Sequence, residues 1–234
     1  MEAAKTLSDT QKKEVTLLPL KGMVVFPYLV MPLMITNQKY AKMVDEALLE
    51  GKTIGLFTQK PNGAETEDDD NIFRVGTSAS ILKMLRFPDG SVRFLVQGLA
   101  RIRLIRVKSS KPYLTAEVEE LDDLVTTDVK LEALVRNVHE ILHKVTELAP
   151  YLSEENYISA INQESASKLA DFVASNLNLS VEQKQAMLET VDVRIRLEKL
   201  LAHLNKEYEV LELSRKIQAE AASEMGRLQK EYIL

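Results

Sequence analysis

Glycine and proline are distributed so unevenly that they divide this chain in two. Seven of its eight glycines lie at or before Gly98, and all seven prolines lie at or before Pro150; from Tyr151 to Leu234 there is one glycine and no proline. Both residues interrupt helices and mark turns, so a turn-rich first part gives way to one in which long helices can run unbroken. The order is strands first and helices afterwards, an α+β arrangement rather than alternating β-α units.

Within the first part, Leu17 to Ile35 (LLPLKGMVVFPYLVMPLMI) carries a single charge, Lys21. A membrane-spanning helix needs roughly 20 apolar residues in one unbroken segment. Pro27 and Pro32 cut this stretch, each removing a helical donor and clashing with the preceding turn. It therefore reads as two strands, Val15 to Leu20 and Val30 to Ile35, joined by a proline-stiffened bend. Val24, Val25, Leu29, Val30, Leu33 and Ile35 read as strand core. Phe26, Pro27, Tyr28, Met31 and Pro32 stand apart as a candidate substrate-binding surface, because a proline-bounded bend is hard to enclose in a sheet and methionine adapts to many partner shapes.

Asn37 can cap a helix with Tyr40, Met43, Val44, Ala47 and Leu48 on its apolar face, stopped by Gly51. A strand follows at Thr53 to Phe57. The acidic stretch from Pro61 to Asn71 reads as a solvated loop, lacking the set glycine and terminal glutamate of a calcium loop. Val75 to Leu85 and Ser91 to Gly98 flank the turn signal Pro88-Asp89-Gly90. Ala100 to Val107 and Tyr113 to Leu121 bring the count to six or seven strands, which with one inserted helix predicts a small bent sheet or pseudo-barrel.

The second part opens with Thr126 or Thr127 as a cap and a helical stripe from Leu131 to Leu148, ended by Pro150. Shorter helices are expected from Ser153, near Ser167 and from Ser180, where Gln183 completes capping-box spacing. From about Asp192 to Leu234 only Gly226 interrupts, giving a helix on the order of 60 Å long. That is wider than most small domains, so the helix is expected to project. The predicted organisation is a disordered tail over 1–14, a β-rich domain over 15–121, a helical subdomain over 122–190 and the long helix over 191–234.

Chemistry is thin. The chain has no cysteine, which excludes disulfides and cysteine-ligated metals. Its net charge of −5 argues against a nucleic-acid binder. Arg101, Arg103, Arg106, Lys108 and Lys111 form the one basic cluster; with no aromatic residue interleaved, Arg101 and Arg103 read as the polar face of a strand. His139-Glu140-Ile141-Leu142-His143 matches the zinc-peptidase signature H-E-x-x-H. At about 100° per residue, however, His139 lies roughly 110° from the centre of the apolar stripe, His143 about 150°, and Glu140 nearly opposite. The only loose third ligand is Glu164, so the reading is a solvated face and no metal site. Gly51-Lys52-Thr53 mimics the end of a phosphate loop, but Glu46 stands where its first glycine belongs and a helix precedes it where a strand should. No serine lies in a nucleophile elbow. Bottom-up, the chain is a non-catalytic binding or assembly module; the alternatives are a zinc metallopeptidase using His139 and His143, or a nucleic-acid-binding module.

Leu18 to Leu33 (LPLKGMVVFPYLVMPL), Phe73 to Ile102, Thr190 to Leu201 (TVDVRIRLEKLL), Glu207 to Gln218 and Leu228 to Leu234, in this order, resemble the amino-terminal region of Lon-type ATP-dependent proteases. The resemblance covers nearly the whole chain after Val15. It implies a PUA-like β domain, a helical subdomain and a long helix leading to an ATPase module, with the chain a fragment ending inside that helix. The family's ATPase motifs and Ser–Lys dyad have no counterpart here, so ATP and magnesium belong to the ATPase module and no cofactor is expected in this part. The implied role is recognition of unfolded, damaged and selected regulatory proteins, in a cytoplasmic homohexamer. Ile217, Ala221, Met225 and Leu228 would meet neighbouring subunits.

Overall fold

The computed structural model describes residues 12–61 and 71–232. Among them are six strands and six helices in an α+β order, as the glycine and proline partition predicts. The chain folds as two compact units: one runs up to Leu124 and takes back Asn178–Val191, the other comprises Val125–Leu177 and the chain from Asp192 onward. Residues 178–190, expected in the helical subdomain, and Val191, expected in the long helix, group with the β unit.

The first unit is built on strands β1 (Lys12–Leu20), β2 (Val30–Ile35), β3 (Ile54–Thr58), β4 (Val75–Arg86), β5 (Val92–Ser109) and β6 (Thr115–Leu121), with helix α1 (Gln38–Glu50) between β2 and β3. The strand β1 includes Lys12 to Glu14, which the sequence reading placed in a disordered tail; their register is fixed by pairing with Glu119, Val118 and Glu117 of β6. Residues 1–11 and most of the acidic loop lie outside the described residues. β1 and β2 do not pair with each other: β1 lies parallel to β3 and antiparallel to β6, and β2 pairs with β5.

The largest departure is β5. Two strands broken near Gly98 were expected, and one 18-residue strand is present. Its first half pairs with β2 and β4, its second half with β4 and β6, with register shifts on both sides that bend it. The ring β5-β4-β3-β1-β6 thereby closes, and β2 remains at an edge. Edge position is what tolerates Pro32, since a central strand would lose a ladder donor there.

α1 forms where its caps predict. The Asn37 side chain accepts from Lys39 N at 2.9 Å. Gly51 closes the helix at φ 62°, where Lys52 N donates to Ala47 O at 2.9 Å. Met43 and Val44 of α1 pack with Leu56, Phe94 and Val96 in one core. A second core joins Leu17, Phe57, Ile102, Leu104 and Val118. Each such side chain contributes about 1.5–3 kcal/mol by leaving water.

The second unit contains α2 (Val129–Leu148), α3 (Glu154–Ile161) and α4 (Ala166–Asn176); the chain then passes through α5 (Val181–Glu189) of the β unit and returns as α6 (Val193–Tyr232). Ser153 and Ser180 form capping boxes, with Asn156 and Gln183 as partners. Two caps shift. Asp128, not Thr126 or Thr127, caps α2, accepting from Leu131 N at 2.8 Å. Ser165 caps α4, while Ser167 is buried and accepts from Arg196 Nη1 at 3.1 Å. Arg196 also reaches Asp171 at 3.2 Å, and both are fully enclosed. Leu197, Leu200 and Leu204 of α6 are buried along with Val138, Leu142 and Val145 of α2. α6 continues for 40 residues, and from Leu213 to Met225 every residue is exposed.

Candidate functional site: an exposed apolar sheet face

The bend between β1 and β2 is held by β5. Tyr28 N donates to Gly98 O and Gly98 N to Leu29 O, both at 2.9 Å. Gly98 is required there, because a Cβ would come closer than 3.0 Å to the Phe26 carbonyl oxygen and 3.1 Å from Pro27 Cα. This close seating corrects part of the sequence-derived surface: Phe26 and Pro27 are buried and belong to the core. Tyr28 is turned outward, half exposed, on a backbone with φ 65°. A left-handed tyrosine costs about 1–2 kcal/mol. Met31 is partly buried against the core, and Pro32 is exposed.

The surface that remains lies on the outward side of β2, β5 and β4. Val30 faces Gln97, Pro32 faces Leu95, and Met34 faces Arg93; across β5, Leu95 faces Lys83 and Arg93 faces Leu85. The register shift between Ile81 and Lys83 puts Leu82 beside them. Val30, Met34, Leu82, Leu85 and Leu95 are all exposed large apolar side chains. Neighbouring strands are about 4.8 Å apart, so these residues form one patch and not scattered singletons. Val30, read from sequence as core, is 54 % exposed. The missed signal was in β2 itself: VMPLMI has no polar position, whereas a strand buried on one face alternates.

Beside the patch is a groove of about 620 Å³ bounded by the end of β1, by β2 and by the start of α1. Pro32, Met34 and Arg93 belong to both.

The other candidate chemistry resolves differently. Arg101 is buried instead of lying on a polar face; its Nε donates to Leu188 O at 2.9 Å, and Nη1 lies 3.4 Å from Asp123. With Gln185 Nε2 donating to Val75 O at 2.8 Å, it ties α5 to the sheet. Arg103 and Arg106 meet Glu119 and Glu117 directly across the ladder at 2.9 and 2.7 Å, and Lys108 meets Glu14 at 2.6 Å. The Arg106 hydrogen bond holds the Glu117 carboxyl below its ordinary range. Four of the five cations thus meet a carboxylate, Arg103 and Arg106 from β6, Lys108 from β1 and Arg101 from Asp123, which counters the cluster's charge toward phosphates.

His143 is exposed, with its ring edge-on to Tyr157 at 5.0 Å and Glu147 at 3.8 Å. His139 is partly buried, which lowers its pKa. Glu164 pairs with Lys168 at 2.6 Å. Among the described residues no group of three or more His, Cys, Asp or Glu converges as metal ligands. Glu46, where the first glycine of a phosphate loop would stand, accepts a hydrogen bond from the Tyr113 hydroxyl. Among the described residues no helix is long and apolar enough to cross a membrane.

Comparison with known proteins agrees with this architecture. Residues 14–206 match the model of the ATP-dependent protease La (LON) substrate-binding domain. The chain is 41% identical over 218 residues to the Lon protease of Dictyoglomus thermophilum and 40% identical over 220 residues to that of Geobacter metallireducens. In each case 93% of this chain is aligned with 27% of the relative, so the chain spans about a quarter of those proteins. The fold matches the N-terminal domain of the Mycobacterium avium complex Lon protease with a TM-score of 0.67 at 25% identity, covering 82% of this chain and 98% of that one. A Lon N-terminal domain protein from Xanthomonas campestris shares the fold at a TM-score of 0.59 and 21% identity, over 81% and 98% of the two chains. With the family model running from β1 into α6, through both units, the chain belongs to the Lon substrate-binding domain family.

Proposed function

We propose that this chain is the non-catalytic substrate-recognition and assembly region of a cytoplasmic, ATP-dependent Lon-type protease, and that it captures apolar segments of unfolded, damaged or selected regulatory proteins on the outer face of β2, β5 and β4. The observation that carries the reading is the contiguity of Val30, Pro32, Met34, Leu82, Leu85 and Leu95 on one sheet face. Apolar patches of this kind on folded domains mark interaction sites. Met34, two residues beyond Pro32 on the same face, is exposed, and its unbranched side chain suits partners of variable sequence. Of the residues expected from sequence, Tyr28 and Pro32 remain part of the site, while Met31 packs against the core behind it. The family name supports protein substrates as the ligand class. The closed β unit is read as PUA-like.

ATP, magnesium and the proteolytic residues are assigned to the rest of the protein. The distal part of α6, through Ile217, Ala221, Met225 and Leu228, whose side chain lies outside the described residues, is assigned to contacts with neighbouring subunits of a homohexamer. Exposure of Ile217 and Met225 supports this.

The test is binding of unfolded casein to the parent, to the double variant Met34→Ser/Leu95→Ser, and to Leu49→Ser as an exposed control on α1. Truncating two contact residues should weaken binding about tenfold, at an unchanged melting temperature, while the control stays at parent affinity. Parent-like affinity in a folded double variant would remove this face as the capture site.

A further inference from the structure

β2 is the end strand of its sheet and, among the described residues, pairs with β5 alone. The bend before it fixes which of its backbone groups are left over. Tyr28 and Leu29 together face Gly98: Tyr28 N donates to Gly98 O, and Gly98 N donates to Leu29 O. With Tyr28 at φ 65°, this is a bulge whose left-handed first residue is ordinarily glycine. Antiparallel partners alternate between hydrogen-bonded and unbonded pairs. Counted from Leu29 and Gly98, the bonded pairs are Met31 with Val96, Leu33 with Phe94 and Ile35 with Val92. The far side of β5 agrees. Phe87 N donates to Ser91 O, so Arg93 and Leu95 turn their backbone toward β4 and leave Val92, Phe94 and Val96 for β2. The amides of Val30 and Met34 and the carbonyls of Val30, Pro32 and Met34 therefore point away from β5. These three residues are also the ones in β2 whose side chains are exposed, and Pro32 and Met34 line the groove. A second copy of β2 fits this edge poorly. Antiparallel strands centred on Pro32 would set proline against proline, where neither has an amide to donate.

We propose that an unfolded polypeptide is held on this edge as an added strand, extended alongside β2. It exchanges main-chain hydrogen bonds with Val30 and Met34 and donates to Pro32 O, while every second side chain joins the apolar face formed by Val30, Met34 and Leu95. Main-chain bonds are made whatever the client's sequence, and the apolar face supplies the preference for buried-type side chains. The inference rests on the capture reading above and adds to it the conformation in which a client is bound.

Three peptides of one apolar sequence test it, blocked by acetyl and dimethylamide groups: one unmodified, one N-methylated at every second residue, one N-methylated throughout. Alternate methylation leaves one edge of amides intact, so the first two should bind the parent chain within about threefold in calorimetry. The third has the same side chains but no amide to donate, and should bind about tenfold or more weakly. With the unmodified peptide bound, amide exchange should slow about tenfold or more at Val30 and Met34, and much less at Met31, Leu33 and Ile35, which β5 already protects. Equal affinity for all three peptides, equal losses for both methylated ones, or binding that leaves exchange at Val30 and Met34 unchanged overturns the inference and leaves apolar capture standing. Failure of the unmodified peptide to bind rejects both.

Discussion

Replacing Gly98 by alanine tests whether the apolar face depends on the seating of one bend against β5. The new methyl group would lie inside 3.0 Å of the Phe26 carbonyl oxygen and 3.1–3.2 Å from Pro27 Cα and the Phe26 carbonyl carbon. All three are backbone atoms of a buried segment, so no side chain can swing aside to make room. Restoring ordinary contact moves the bend by roughly an ångström, and hydrogen bonds weaken steeply when so displaced. Two are exposed to that movement, Tyr28 N to Gly98 O and Gly98 N to Leu29 O. At about 1 kcal/mol net for each, with about 1–2 kcal/mol more for overpacking around the buried Phe26, the expected loss is about 3–4 kcal/mol. For a chain of this size that lowers the melting temperature by roughly 6–16 °C. Urea unfolding followed by circular dichroism measures the loss. Amide exchange at Tyr28 and Gly98 locates it, because those protons should exchange faster than the amides of β1. A Gly98→Ala variant within 0.5 kcal/mol of the parent, with both amides still protected, would refute the close-approach reasoning.

Asp171→Ala leaves Arg196 enclosed without its carboxylate partner, and stability should fall by about 3–5 kcal/mol in urea unfolding; a loss under about 1 kcal/mol would refute this. Burial lowers the pKa of His139, and burial followed by Lys206 lowers that of His203, so each contributes stability that is complete above the ordinary value of 6.5 and lost as pH falls through the lower folded value. The unfolding free energy should therefore drop on acidification below about 6.5, and drop less in His139→Gln/His203→Gln; an identical pH profile for the two proteins would count against this. In dilute solution the amides from Ile217 to Met225 should exchange much faster than those of Leu197 to Leu204, since the distal segment has no buried side chain to stabilise it. Equal protection at high dilution would show that the distal helix holds itself together, and protection rising with concentration would place the stabilising contact between copies.

What could be read from the amino acids alone was whatever depends on near neighbours. The partition of glycine and proline separates strands from helices because backbone freedom is a property of single residues. The caps at Asn37, Ser153 and Ser180 and the stop at Gly51 were legible because each is made within three or four residues. Helical spacing also placed His143 away from the apolar stripe of α2, and it lies on an exposed face, whereas His139, nearer the stripe, is partly buried. Tertiary structure decided what depends on distant pairing. β5 passes through Gly98 unbroken because the bend at Phe26 and Pro27 fills the space where a side chain would be. Arg101 is buried because Leu188 O, 87 residues away, accepts from it, and the β unit recovers Asn178–Val191 after the chain has left for the helices. The apolar face was half visible for the same reason. An all-apolar β2 must show one side somewhere, but only its register against Leu95 and Arg93, and theirs against Lys83 and Leu85, brings the exposed residues of three strands onto one surface.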